Sequence, residues 1–243
     1  MKAVERWYSP RAGQDLNLAR WGTLGTPVLV FPTAGGDFEE IERFHLVDAL
    51  QPLIDGERIK VYSVDSLNGR TFLTGADAHE VGLMMSAFDA AIRNEVVPAI
   101  RADCQSPSIE IVTAGASVGA FNALEVLCRY PDVFSAALCV SGTFDLTRWL
   151  DGPMTTDFYL SSPVHYLPNL TEGDGLRMLR KRFVLLTHGL GRAEDPGESW
   201  RTAEILGRVG VPNRVDEWSA EWPHDWETWR EMFPRYIDEL TRS

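Results

Sequence analysis

Apolar and polar positions along the chain follow two periods, and their order predicts a layered α/β protein. Two short runs at the start, Ala3–Tyr8 and Asp15–Trp21, flank the turn-rich stretch Ser9–Gly13, which predicts an antiparallel hairpin. From Pro27 onward, short apolar runs alternate with segments of helical spacing. Buried strands are predicted at Pro27–Phe31, Ile59–Val64, Ile109–Thr113, Ala136–Val140, Phe183–Thr187 and Val215–Trp218. Helices are predicted at Phe38–Asp55, Val81–Arg101, Ala120–Arg129, Ser199–Arg208 and Asp225–Leu240. Tyr130-Pro131-Asp132 stops the third of these and Gly210 closes the fourth. This alternation implies a mostly parallel central sheet with helices on both faces. Residues 144–180 carry little periodicity and several Pro, Gly and Asp residues. They are expected to form a small cap over the carboxyl edge of the sheet, within a single domain spanning 1–243.

Composition narrows the class. With 243 residues, 44% of them hydrophobic and 24% charged, the chain suits one sizeable globular domain. The formal net charge is −12 and no basic cluster is present, so nucleic acid is not an expected partner. No apolar run approaches the roughly 20 residues of a membrane span. Met1–Arg6 lacks the apolar core of a signal peptide, which points to a cytoplasmic protein. Cys104, Cys128 and Cys139 match no zinc spacing, and neither a metal nor a cofactor is expected.

The chemistry concentrates where the Ile109–Thr113 run meets the following helix. The junction reads Gly115-Ala116-Ser117-Val118-Gly119. A strand-to-helix turn this tight leaves no room for a Cβ at either glycine and lifts Ser117 to the top of the sheet. The arrangement resembles the nucleophile elbow of the α/β-hydrolases. Ser117 is therefore the candidate nucleophile. A neutral hydroxyl attacks poorly, so a positioned base is needed.

Of five histidines, His224 lies in Glu221–Trp226, between the last strand and the last helix, where a base would stand over the elbow. His45 falls in a helical pattern, His79 and His165 in loops, and His188 at a strand end. An acid must hold the imidazole, and chain order places it after Phe183–Thr187, where Glu194 and Asp195 both qualify. Asp195 also suits the helix N-cap, with Pro196 at the first helical position, and this favours Glu194 as the acid. Asp145 is an earlier alternative. For an oxyanion, one donor is expected from the Val118 N–H and another from Thr33, Ala34 or Gly35, with Gly35 or Ala34 in the loop after Phe31 preferred. Asp37 could cap the helix that follows. Four tryptophans surround His224. Trp226 and Trp229 share a helix face, while Trp222, in the loop, is a candidate pocket wall.

Four segments together resemble the putative-esterase branch of the α/β-hydrolases, which includes esterase-D-like, enterobactin-esterase-like and mycolyltransferase-like proteins. They are Val28–Gly36, Gly115–Gly119, Ser141-Gly142-Thr143-Phe144-Asp145, and His224-Asp225-Trp226 through Trp229-Arg230. The resemblance implies a serine carboxylesterase acting on small-molecule esters, with Ser117 as nucleophile and His224 as base. The loop Gly189–Asp195 is longer than the branch's usual Gly-x-x-Asp. Acyl transfer to an alcohol would use the same groups, and a non-catalytic relative would use only the fold. Oligomeric state and acyl preference are not encoded in any of these segments.

Overall fold

The computed structural model describes residues 2–74 and 76–242, leaving Met1, Gly75 and Ser243 outside. The chain runs β1 (Lys2–Ser9), β2 (Gln14–Trp21), β3 (Thr26–Phe31), α1 (Glu40–Arg43), α2 (Leu46–Asp55), β4 (Ile59–Val64) and α3 (Leu67–Leu73). It continues through α4 (Ala78–Ala91), α5 (Val97–Asp103), β5 (Ile111–Ala116), α6 (Val118–Arg129) and β6 (Phe134–Val140). Three short helices follow, α7 (Thr156–Leu160), α8 (Pro163–Tyr166) and α9 (Asp174–Leu179). The last elements are β7 (Phe183–His188), α10 (Pro196–Arg208), β8 (Asn213–Glu217) and α11 (Trp226–Leu240).

All eight strands form one sheet in the order β1-β2-β4-β3-β5-β6-β7-β8. The expected hairpin pairs β1 with β2, and β2 pairs antiparallel with β4. Every pairing from β4 to β8 is parallel. The sheet is covered on both sides. In β3, Val28 and Val30 pack with Ile41, Leu50, Met232 and Phe233 of α1, α2 and α11. Leu29 and Phe31 point the other way, into a cluster with Phe88, Ala91, Ile100, Ala120 and Leu124 of α4, α5 and α6. A strand buried on both faces must be apolar throughout, which is why these runs show no alternation.

Three helical expectations are corrected. The pattern at Phe38–Asp55 is two helices. The chain turns at His45, which takes φ +61°, and Phe44 leaves the helical path to stack on Trp226 at 4.7 Å. The pattern at Val81–Arg101 is broken by a wide turn at Ile92–Val96, where the Val97 N–H bonds to Ile92 O. Pro98 has no N–H and would crowd the carbonyl of residue 94 in a regular helix, and the wider turn accommodates it. Helix α3 is not anticipated, because Asn68-Gly69 reads as a turn. Asp37 does not cap α1 directly. Its side chain accepts from the N–H of Glu39, itself the N-cap, at 2.9 Å, two residues too early.

Residues 144–180 lie beside the N-terminal end of α6. Leu146 and Phe158 pack with Val81, Met85, Val118 and Phe121, and Ala34 closes the cluster. Among the described residues no helix is long and apolar enough to cross a membrane.

Candidate active site

Ser117 sits between β5 and α6 at φ +56°, ψ −122°. A non-glycine residue held there stores about 1–3 kcal/mol of backbone strain, which the surroundings must over-determine. They do so with three hydrogen bonds: Ser117 N–H to Val140 O at 3.0 Å, and Ser117 O from the N–H groups of Ala120 (3.1 Å) and Thr143 (3.2 Å). The flanking glycines behave as the motif requires. A Cβ on Gly115 would lie 2.2 Å from the Gly119 carbonyl, and one on Gly119 would lie 2.4 Å from Phe31 O. The second contact sets the start of α6 directly against the end of β3.

The loop carrying Glu194 and the loop carrying His224 are built as one unit. A Cβ on Gly189 would fall 1.9 Å from Trp222 O, so the two backbones touch. The Gly191 N–H donates to that carbonyl at 3.0 Å, and the His224 N–H donates to Arg192 O at 3.0 Å. This packing brings Glu194 Oε2 to 3.5 Å from His224 Nδ1, with the Glu194 side chain only 1% exposed. Glu194 Oε1 accepts from Ser141 Oγ at 2.6 Å and from the Gly189 N–H at 3.2 Å. Ser141 Oγ in turn accepts from Trp229 Nε1 at 3.1 Å, and the Trp229 ring meets the His224 ring edge-on at 5.1 Å. Asp195 turns away: its carboxylate accepts from the Gly197 N–H and caps α10. Asp145 is also elsewhere, bonded to the Thr147 N–H and hydroxyl.

Ser117 and the Glu194–His224 pair meet through one segment. Val140 and Thr143 hold the Ser117 backbone, and Ser141 between them holds Glu194. Among the described residues no hydrogen bond joins the Ser117 hydroxyl to the His224 ring. Without substrate such contacts are often long or poorly aligned.

In the loop after β3, Thr33 N–H donates to Glu40 Oε2 at 2.7 Å and Gly36 N–H to Thr33 O at 3.0 Å. Ala34 and Gly35 between them keep their N–H groups uncommitted among the described residues. The Val118 N–H opens α6, where the helix dipole favours negative charge.

The other histidines lie apart from this arrangement. His45 pairs with Asp48 on the surface, His79 is exposed in α4, and His165 bonds to Ser162 Oγ. His188 is buried against Glu217. Trp222 is placed differently from its expected role as a pocket wall. Its ring packs edge-on against Trp218 at 4.9 Å, in an open groove lined also by Arg235 and Tyr236 and by neither Ser117 nor His224. The reason is backbone packing: the Trp222 carbonyl is pinned to Gly189 and Gly191, which turns the ring toward β8 and α11. Two residues at the site had no role assigned from sequence. Ser141 stood inside a quoted motif, but a serine after a strand carries no signal of its own. Glu40 looked like one more acidic position on a helical face.

The strand order, the parallel pairings and the strained serine between strand and helix define the α/β-hydrolase fold. The chain belongs to the family described as "Putative esterase", whose model matches residues 74–240. Solved structures agree on the fold. The chain is similar to a ferulic acid esterase at 15% identity and TM-score 0.77, over 100% of this chain and 97% of that one. It is similar to an S-formylglutathione hydrolase from Agrobacterium tumefaciens at 12% identity and TM-score 0.72, over 99% and 94%. Likeness to the enterobactin esterase of Shigella flexneri, at 16% identity and TM-score 0.69, spans 98% of this chain and 59% of that one. No curated protein matches the chain.

Proposed function

We propose that the protein hydrolyses carboxylic esters of small molecules through an acyl-enzyme on Ser117, with His224 as base and Glu194 as the acid of the triad. One observation carries this reading: the buried Glu194 carboxylate faces His224 Nδ1 while Ser141 ties it to the segment that holds Ser117. A carboxylate at Nδ1 selects the tautomer that leaves Nε2 free to accept a proton, and it stabilises the imidazolium.

In this scheme Ser117 Oγ attacks the acyl carbon as its proton passes to His224 Nε2. The oxyanion is met by the Val118 N–H and by an N–H from Ala34 or Gly35. Thr33 is set aside because its N–H is already bonded to Glu40. Collapse breaks the ester C–O bond, and the leaving alkoxide takes the proton from His224. Water then attacks the acyl-enzyme, giving its proton to His224. The carboxylic acid departs and the Ser117 hydroxyl is restored.

The single-domain reading and the cap belong to the same proposal. Leu146 and Phe158 pack on Val118 and Phe121 at the mouth of the elbow, which supports residues 144–180 as the wall that sets acyl size. Ser117→Ala is the direct test. It should abolish turnover of p-nitrophenyl acetate and labelling by a fluorophosphonate probe, and near-parental turnover would end the proposal. Esters of graded acyl length, with a feruloyl ester and a thioester among them, would then read the pocket.

A further inference from the structure

Glu40 is a buried acid outside the triad, and its environment is unusual. It opens α1 with only 6% of its surface exposed, and both carboxylate oxygens are spent on a single residue. Oε2 accepts the Thr33 N–H at 2.7 Å and Oε1 accepts the Thr33 hydroxyl at 2.7 Å. The carboxylate is also pressed beneath Gly36, where a Cβ would lie 2.6 Å from Oε2. Burying a carboxylate costs several kcal/mol unless it is well bonded. A turn of this kind could be closed by Ser or Asn without that cost.

What the bond geometry fixes is a peptide plane. Glu40 locks Thr33 at its N–H and its side chain. The Gly36 N–H holds the Thr33 carbonyl at 3.0 Å. The next peptide is planar and trans, so its N–H points opposite to that carbonyl. That N–H belongs to Ala34. It is therefore aimed away from Gly36 and cannot swing without breaking three hydrogen bonds. Ala34 packs against the cluster that contains Val118, whose N–H is the other donor at the elbow.

We propose that Glu40 is the positioning residue of the oxyanion loop: its carboxylate clamps Thr33 so that the Ala34 N–H stands fixed for the oxyanion. The inference rests on the Ser117 hydrolase reading and deepens it by assigning the second donor to Ala34 and its support to Glu40. Donors fixed in advance need no reorganisation when charge develops, and a displacement of about 1 Å is enough to cost about a hundredfold in rate. Burial holds the pKa of Glu40 above the usual carboxylate range, against the hydrogen bonds from Thr33 and the charge of Arg43 and with the charge of Asp37.

The test is Glu40→Leu in the full-length protein, which keeps much of the volume but removes both acceptors. The expected result is a kcat lower by about 10- to 100-fold at nearly unchanged KM. Affinity for a trifluoromethyl ketone, which forms an anionic adduct with Ser117, should weaken by a similar factor, while affinity for a non-reactive amide analogue of the ester should hold. An unchanged kcat in the folded variant, or equal losses for the ketone and the amide, would overturn the proposal. If Glu40→Leu fails to fold, Thr33→Val decides, since it frees Oε1 alone. It should lower kcat and ketone affinity together by about 3- to 10-fold, and no loss would overturn the clamp. Full activity in Ser117→Ala would instead defeat the hydrolase reading itself.

Discussion

Glu194 and Ser141 share a 2.6 Å hydrogen bond across 53 residues of sequence, and that bond orients the carboxylate facing His224. Oε1 is engaged by Ser141 and the Gly189 N–H, so Oε2 is the oxygen presented to the imidazole. The Glu194 carboxylate is thus oriented by the residue that follows strand β6 and not only by its own loop.

The two neighbouring acids should separate cleanly by substitution. Glu194→Gln is expected to lower kcat by about 10³- to 10⁴-fold, because an amide at Nδ1 favours the wrong tautomer. Asp195→Asn keeps a capping oxygen for Gly197 and should leave kcat within about twofold, with stability changed by less than about 1 kcal/mol. Steady-state kinetics on a p-nitrophenyl ester with thermal melts of each variant check both statements. The reverse ranking would reassign the acid.

Ser141→Ala removes a hydroxyl with two partners, Glu194 and the Trp229 indole. Both are buried, so the orphaned groups should cost about 1–3 kcal/mol of stability. Freed from Ser141, Glu194 should hold His224 less well, and kcat should fall about tenfold with KM steady. Ser141→Thr keeps the hydroxyl and should recover most of the rate. Equal loss in both variants would assign the effect to packing.

Gly119→Ala adds a Cβ 2.4 Å from Phe31 O and 2.7 Å from Pro32 O. Both contacts are backbone, so either α6 or the end of β3 must move. Activity should be lost through displacement of the Val118 N–H, and stability should fall by about 2–4 kcal/mol. Gly175→Ala is the control, since nothing lies within 4 Å of its added Cβ. A melt of both variants beside fluorophosphonate labelling separates the effects.

How much of this was readable in the residues depends on whether the signal was local. The strand runs, the tight turn at Ser117 and the capping of α10 by Asp195 follow from rules of a few residues: apolar period, tight-turn glycines, an N-cap before proline. Helix α3 was not readable because Asn68-Gly69 suggests a turn. What overrides this is tertiary: Asn68 bonds to Asn122 of α6 at 2.6 Å, and Gly69 lets the helix touch Ala34. Trp222 failed for a similar reason. Its loop position suggested freedom, but its carbonyl is pinned by two glycines more than thirty residues earlier. Glu40 and Ser141 act through partners distant in sequence or hidden in the backbone, and residue type alone does not announce that.

A buried acid pair away from the site makes stability depend on pH. Asp89 of α4 and Glu125 of α6 lie together, with Arg129 2.7 Å and the Tyr130 hydroxyl 3.0 Å from Asp89 Oδ2, and the Tyr166 hydroxyl and Cys128 nearby. Burial pushes Asp89 up to about 6 against the opposing pull of Arg129. Burial first, then the charge of Asp89, holds Glu125 well above its ordinary value. Among the described residues Asp89 Oδ1 and Glu125 Oε1 have no other partner, and a proton on Glu125 donated to Asp89 satisfies both. Carboxyls whose pKa is raised on folding bind protons that the unfolded chain releases. Their contribution is fully present below the unfolded value of about 4 and is lost as pH rises through about 6 and beyond. Glu125→Gln supplies a permanent donor toward Asp89 and removes the proton requirement. It should match the parent at about pH 4 and exceed it at about pH 8 by on the order of 1–3 kcal/mol, at about 1.4 kcal/mol per pKa unit. Urea unfolding at the two pH values checks this, and a variant less stable at both would show that Glu125 is held by its carboxyl group and not by its proton.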